Sequence, residues 1–225
     1  MRRAPIKTQT LQVLVDRGIP VQTILDVGVL NGTPELTAAF PRTRQVLFEP
    51  VAEFATAIRG GYAGHNFKLV QAAVGARDGK ARLATVSIKN DDEISHSHFA
   101  ADDQAGRDVT LVSLDGYLDL EPEIGPFLLK IDVDGAELEV LAGASRTLRE
   151  CSVVVIEVPR TEFVERIKVV SDAGFTLFDL SEPCYYDGAF WQCDAVFVRN
   201  DLYERHFKSL QHHDFDPGSY VAFVG

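Results

Sequence analysis

Four acidic residues stand where apolar runs end: Asp26 in ILDVGVLNGTPEL, Glu49 in VLFEP, Asp132 in FLLKIDVDG and Glu157 in VVVIEVP. A carboxylate leaving a strand can face the crevice in which open α/β sheets bind ligands, and it accepts hydrogen bonds from hydroxyls there. Gly28 and Gly32 follow Asp26, and glycine is the residue that lets backbone approach a ligand closely or take a positive φ. A full dinucleotide fingerprint has glycine at its first, third and sixth positions, whereas the series here is Gly28, Leu30, Thr33. The pyrophosphate cradle is therefore incomplete and a nicotinamide dinucleotide is disfavoured. Glu49 follows that turn by about 20 residues, the spacing at which an acid takes both hydroxyls of a ribose. The pair describes an adenosine ligand without a pyrophosphate. For either acid alone, a solvated strand-end cap is the competing reading.

The stretch FLLKIDVDGAELEVLAGA is the most specific in the chain. Alternation along a strand puts Lys130 and Asp132 on one face, with Asp132 at the carboxyl edge and Lys130 one step deeper. Asp134 and Glu137 have capping-box spacing, which predicts Asp134 as an N-cap and leaves Asp132 pointing into the crevice.

These side chains need a scaffold, and the apolar pattern supplies one. Strand-length runs fall at 23–29, 45–50, 68–75, 127–133, 152–158, 175–180 and 195–199, several of them almost continuously apolar, as in strands covered on both faces. Helical spacing occupies 136–148 and 162–173, the latter stopping at Gly174, while Thr33 and Pro34 open a helix as N-cap and first residue. Alternating β and α predicts a mainly parallel sheet with helices on both faces. Residues 79–118 break the rhythm: 80–88 and 108–114 read as extended, around the polar stretch KNDDEISHSHFAADDQAGR, and the whole is taken as an inserted hairpin or lid region. Residues 90–107, carrying His96 and His98, are expected to be mobile without ligand and to close over the crevice. The tail QHHDFDPGSYVAFVG is expected to pack on the body, with His212 and His213 in a solvated segment.

A chain of 225 residues, 46% hydrophobic, is read as one domain over 1–225. Its net charge of −11 opposes binding to phosphate backbones, so nucleic acid and anionic membranes are unlikely partners, and the oligomeric state is open. Cys151, Cys184 and Cys193 lack the spacing of a zinc site or disulfide framework, which suits a reducing, cytoplasmic setting. No run is long enough to span a membrane, and MRRAPIKTQT has no apolar segment behind its arginines.

The chain resembles the FkbM family of S-adenosylmethionine-dependent methyltransferases. The resemblance is carried, in the family's order, by LDVGVLNG (25–32), FEP (48–50), QAAVG (71–75), TLVSLDGYL (110–118), LLKIDVDGAELEVLAGA (128–144), VVIEV (154–158) and DAVFVRNDL (194–202). It implies the class I methyltransferase fold, an α/β Rossmann-like architecture whose mainly parallel seven-stranded sheet has one antiparallel strand near its edge. It further implies methyl transfer to a hydroxyl of a sugar, polyketide or other secondary metabolite. Carried onto matching positions, Asp26, Gly28 and Gly32 would line the methionine side of the cofactor, Glu49 with Pro50 would hold the ribose, and Ala73 would border the adenine. The family's D-V-G-A-N-x-G differs here, because Leu30 stands at the asparagine position and Asn31 is displaced by one, which puts Asn31's cofactor role in question.

Transfer from a sulfonium is an in-line displacement in which alignment supplies most of the catalysis. An alcohol acceptor must also lose its proton, and Asp132, Glu157, His96 and His98 are the candidate bases. Asp132 and Glu157 with a loop ligand could instead hold Mg²⁺ or Mn²⁺. Two rival classes stand beside an O-methyltransferase acting on a small molecule or glycan: a non-catalytic cofactor-binding scaffold of the same fold, and, more remotely, a nicotinamide oxidoreductase.

Overall fold

The computed structural model describes residues 4–87, 94, 96–100, 105–208 and 215–221. In chain order the elements are α1 (Lys7–Asp16), β1 (Thr23–Val27), α2 (Pro34–Ala39), β2 (Arg44–Phe48), α3 (Ala55–Gly61), β3 (Phe67–Val70), β4 (Ala73–Val74), β5 (Gly79–Val86), β6 (His96–Phe99) and β7 (Arg107–Val112). There follow α4 (Leu114–Leu120), β8 (Phe127–Ile131), α5 (Glu137–Ala142), β9 (Cys151–Pro159), α6 (Phe163–Asp172), β10 (Phe175–Tyr186), β11 (Ala189–Arg199) and α7 (Asn200–His206).

Among the described residues, seven strands form one sheet in the order β10-β11-β9-β8-β1-β2-β3. Every pairing from β9 to β3 is parallel, and β11 runs antiparallel to both of its neighbours, the single reversed strand expected near the edge. Successive strands step outward from β1 to β3, and the chain then restarts on the other side at β8. That reversal between β1 and β8 opens a crevice at the carboxyl ends of the strands.

The central strands are buried on both faces, which explains their unbroken apolar runs. Leu25, Val27, Leu129, Ile131, Val154 and Ile156 pack on one face with Val140, Leu141 and Val170 of α5 and α6. On the other, Ile24, Leu128, Val153 and Val155 pack with Leu11 and Leu14 of α1, Leu36 of α2 and Leu202 of α7. Each such side chain, fully buried, contributes roughly 1.5–3 kcal/mol before entropy is charged against it.

The region 79–118 contains more regular structure than a lid implies. β5, β6 and β7 join β4 in a four-stranded sheet of order β4-β7-β5-β6, with Leu83 opposite Phe99 and Val86 opposite His96. Of the segment expected to be a mobile lid, residues 90–93, 95 and 101–104 lie outside the described residues, and 96–99 form a paired strand.

Three further expectations need correction. The run 68–75 is two strands in two sheets, because the chain turns at Gln71, with the Ala72 N–H donating to Val70 O at 3.0 Å. The helix over 136–148 stops at Ala142, since the N–H groups of Arg146 and Thr147 donate to the Asp115 carboxylate instead of continuing the helix. In the tail expected to pack on the body, Phe215, Tyr220 and Val221 are exposed, while residues 211–214, with His212 and His213, and the apolar end at 222–225 lie outside the described residues. Among the described residues no helix is long and apolar enough to cross a membrane.

Candidate active site

A cavity of about 260 Å³ lies at the carboxyl ends of β1, β2, β8 and β9, roofed by β6. Of the residues singled out in the sequence, Gly28, Glu49, Pro50, Ala73, His98, Asp132 and Glu157 line it together. Leu30, Ser97, Phe99 and Asp134 also line it and had not been anticipated. The side chain of His96 lies outside the described residues.

The floor is backbone. Gly28 has φ +80°, and a Cβ there would sit 1.7 Å from the carbonyl oxygen of Asp132, so only glycine allows the exits of β1 and β8 to touch. The Asp132 N–H donates to Val27 O at 3.0 Å across the same seam. Leu30 then takes a left-handed conformation, φ +50°, and its N–H donates to Glu49 Oε2 at 2.8 Å. The Val51 N–H donates to Glu49 Oε1 at 2.9 Å. Burial pushes the Glu49 carboxyl above its ordinary value, and these two N–H groups oppose the shift without cancelling it.

Asp26, Asn31 and Gly32 are not among the residues that line the cavity. Asp26 lies inside β1 on the face shared with Lys130, its register partner, and is wholly buried. The Lys130 ammonium sits 3.3 Å from Asp26 Oδ1 and 3.4 Å from Asp132 Oδ2, and donates to Gly28 O at 2.5 Å. Burial works against that ammonium, yet Asp26 and Asp132 outweigh it and hold Lys130 above the ordinary lysine range. Past Leu30 the chain turns away: a Cβ on Gly32 would lie 3.3 Å from the Tyr62 ring, and the Thr33 N–H donates to the Tyr62 hydroxyl at 3.0 Å. Asn31 and Gly32 therefore belong to the α2 side of the turn.

The Asp134–Glu137 capping box does not form either. Ala136 occupies the N-cap position, Asp134 has φ +53°, and its carboxylate accepts from the Ser97 N–H at 3.0 Å, tying β6 to the crevice. Glu137 turns inward to accept from the N–H groups of Val133 at 3.2 Å and Gly135 at 3.1 Å. It pairs at 2.7 Å with Arg166 of α6, and both side chains are buried. Arg166 also donates to the backbone carbonyl of Glu157 at 2.8 Å. One guanidinium thus fixes the loop after β8 and the end of β9. Its sequence signal was its place among Phe163, Ile167 and Val170 on the apolar stripe of α6.

Glu157 accepts from the Gln192 amide at 2.5 Å. Burial, reinforced by the charges of Asp132, Glu137, Asp134 and Asp194, pushes its carboxyl up to about 8. Beyond it Asp194, the register partner of Glu157, pairs with Lys7 of α1 at 2.8 Å. Such a carboxyl, protonated near neutrality and able to release its proton, has the titration a general base requires. Among the described residues, no group of three or more His, Cys, Asp or Glu is arranged to hold a metal ion, so the Mg²⁺ or Mn²⁺ alternative has no donor set there.

The family described as "Methyltransferase FkbM domain" matches residues 26–177, well over half of the chain. No curated protein matches. Among solved structures, the chain is similar to precorrin-6y C5,15-methyltransferase from Geobacter metallireducens, with TM-score 0.48, 13% identity and coverage of 86% of this chain and 87% of that one. The N-methyltransferase NodS from Bradyrhizobium japonicum, in complex with S-adenosyl-L-homocysteine, has TM-score 0.47 and 10% identity, covering 86% and 85%. Fibrillarin from Aeropyrum pernix, with bound S-adenosyl-L-methionine, has TM-score 0.43 and 13% identity, covering 82% and 73%.

Proposed function

This chain belongs to the FkbM family of methyltransferases, and from that premise we propose that it transfers a methyl group from S-adenosylmethionine to a hydroxyl oxygen of a small molecule or glycan. The observation carrying this reading is the convergence of the Gly28 turn, the buried Glu49 and the titratable Glu157 on one cavity at the sheet's reversal point. The donor set suits the cofactor. Each Glu49 oxygen, already holding one N–H, retains a lone pair for a ribose hydroxyl, and Ala73 and Pro50 offer apolar surface for an adenine. Gly28, whose missing side chain admits the Asp132 carbonyl, lines the cavity with backbone where the methionine moiety would lie.

When bound, S-adenosylmethionine supplies an electrophilic methyl on a cationic sulfur. Asp132 and Glu157 are the groups placed to receive the acceptor's hydroxyl proton, freeing its oxygen to attack. Glu157 is taken as the base, because its raised pKa lies near working pH and its carboxyl lines the cavity. His98, on β6 across the cavity, helps orient the acceptor.

Calorimetry with S-adenosylhomocysteine and with NAD separates the readings. Binding of the first alone is expected; no binding of S-adenosylhomocysteine removes the proposal, and binding of NAD alone favours an oxidoreductase. Binding without turnover on any hydroxylated acceptor would favour the scaffold.

A further inference from the structure

The helix α1 brings a charge to the crevice from outside the cavity. Lys7, Leu11 and Leu14 fall on one stripe of it, and the two leucines pack on the sheet face formed by Ile24, Leu128, Val155 and Val196. Side chains two residues apart on a strand share a face, so Asp26, Lys130, Asp132, Glu157 and Asp194 stand in a row across that same side of the sheet. Lys7 closes the row at its far end.

The first turn of α1 is seated by irregularities in β10. The Glu182 N–H donates to Pro5 O at 2.8 Å, the Lys7 N–H to Glu182 Oε1 at 2.7 Å, and the Thr10 hydroxyl to Asp179 Oδ2 at 2.5 Å. Asp179 and Glu182 lie at two places where β10 slips register against β11, and Glu182 has φ +53°. The strand is bent to hold this segment.

The cations of the row are unevenly shared. Lys130 lies between Asp26 and Asp132, whereas the Lys7 ammonium is 2.8 Å from Asp194, with 13% and 9% of the two side chains exposed. Glu157, flanked by Asp132 and Asp194, has the neutral amide of Gln192 as its side-chain partner. The other charged groups around it are Asp134 and Glu137 after β8, His98 of β6 across the cavity, and Arg166 of α6, which bonds its main-chain carbonyl. Glu157 lines the cavity, and Asp194 is not among the residues that do.

Resting on the reading of Glu157 as the base, we propose that Lys7 is a positioning residue for methyl transfer: its ammonium fixes Asp194 as a carboxylate and so leaves Glu157, the carboxyl that reaches the acceptor, to take and release the proton. Two neighbouring buried carboxyls share a proton unless a cation settles which of them is ionised. Burial pushes both Asp194 and Glu157 up, and Lys7, with a smaller share from Lys130, opposes the shift at Asp194. Asp194 in turn outweighs the burial of Lys7 and holds that ammonium above the ordinary lysine range. Without Lys7, the proton would be drawn to a carboxyl outside the cavity. With it, the charge kept on Asp194 raises the proton affinity of Glu157.

Carboxyl-carbon NMR on the full chain, labelled at Asp and Glu and titrated with acid and base, reads both groups without an acceptor. In the wild type Asp194 is expected to be ionised at neutral pH while Glu157 titrates near about 8. Lys7→Met should raise the Asp194 midpoint by roughly one to three pH units, the usual effect of losing an opposite charge at this range, and Lys7→Arg should leave it as in the wild type. In Asp194→Asn an unpaired ammonium replaces the ion pair beside Glu157, so the Glu157 midpoint and the pH limb of kcat/KM should both move to lower pH. A merely structural contact would leave them in place. An Asp194 midpoint unmoved in Lys7→Met, or a Glu157 midpoint unmoved in Asp194→Asn, overturns the role of Lys7; if Lys7→Met does not fold, the Asp194→Asn arm decides. Unmoved midpoints with turnover lost in Glu157→Gln overturn that role alone. Full turnover in Glu157→Gln overturns the base reading and the role of Lys7 with it.

Discussion

The two halves of the crevice are built on different principles. At β1 and β2 the surface is mostly main chain: Gly28 abuts Asp132 O, and both Glu49 oxygens are held by N–H groups. At β8 and β9 it is made of charged side chains whose positions depend on two buried cations, Lys130 under Asp132 and Arg166 behind Glu157. The first half presents a shape set by main-chain contacts. The second is adjustable, because removing one charge changes the proton affinity of the rest.

The largest test of that contrast is Arg166→Ala, which leaves Glu137 buried without its partner. A loss of about 3–5 kcal/mol in unfolding free energy by urea denaturation is expected. A loss under 1 kcal/mol would mean the second half does not depend on its cation.

Glu157→Gln should lower turnover roughly 10²-fold with S-adenosylhomocysteine affinity preserved; unchanged turnover would pass the base role to Asp132 or His98. In the wild type kcat/KM should climb with pH through about 8 and then level, and the variant should lack that limb. Stability runs the opposite way. A carboxyl whose folded pKa is raised contributes stability that is complete below its unfolded value near 4.5 and is lost as pH rises through about 8. Above pH 8, Glu157→Gln should therefore resist denaturant better than the wild type.

In the fixed half, Glu49→Ala should weaken S-adenosylhomocysteine binding by roughly 1–3 kcal/mol, and it should also destabilise the protein, because the N–H groups of Leu30 and Val51 lose their acceptor. Equal affinity in the two proteins would move the ribose elsewhere. The smallest effect is Leu30→Asn. Leu30 is partly exposed in a left-handed conformation that asparagine tolerates better, so a gain of about 1 kcal/mol is expected from thermal unfolding. A loss would show that the leucine side chain packs usefully against the cavity.

The Leu30 position also explains part of what the sequence concealed. The displaced asparagine in LDVGVLNG was visible as a departure, but that its usual site demands a left-handed backbone was not. The alternation of strands and helices, the glycine turn and the strand-end acids Glu49, Asp132 and Glu157 were legible, because apolar runs and strand-end acids are local patterns, whereas the antiparallel strand came from the family resemblance alone. Asp134 was misread as a cap because D-x-x-E spacing is the same whether the aspartate precedes the helix directly or sits two residues earlier in a left-handed turn. Arg166 escaped because its buried partner Glu137 is distant in sequence and the nearer Glu157 is held through its backbone carbonyl, which no side-chain pattern reveals. The long ribbon of β10 and β11 was overlooked although DG between YY and AFW is a strong hairpin signal; strands over 175–180 and 195–199 alone left no place for it.

The Glu137–Arg166 pair also limits how this sequence can drift. Two apolar residues of similar volume at these positions could be as stable as the ion pair, or more so. Replacing Arg166 alone strands the buried Glu137 charge at a loss of about 3–5 kcal/mol, comparable to the whole stability margin of many small proteins, whereas replacing Glu137 alone leaves Arg166 paired with Glu162 at 2.8 Å. Descendants that lost the arginine first would unfold before reaching the far side. The pair can therefore persist because its neighbours in sequence space are poor, even where its own net contribution to stability is small.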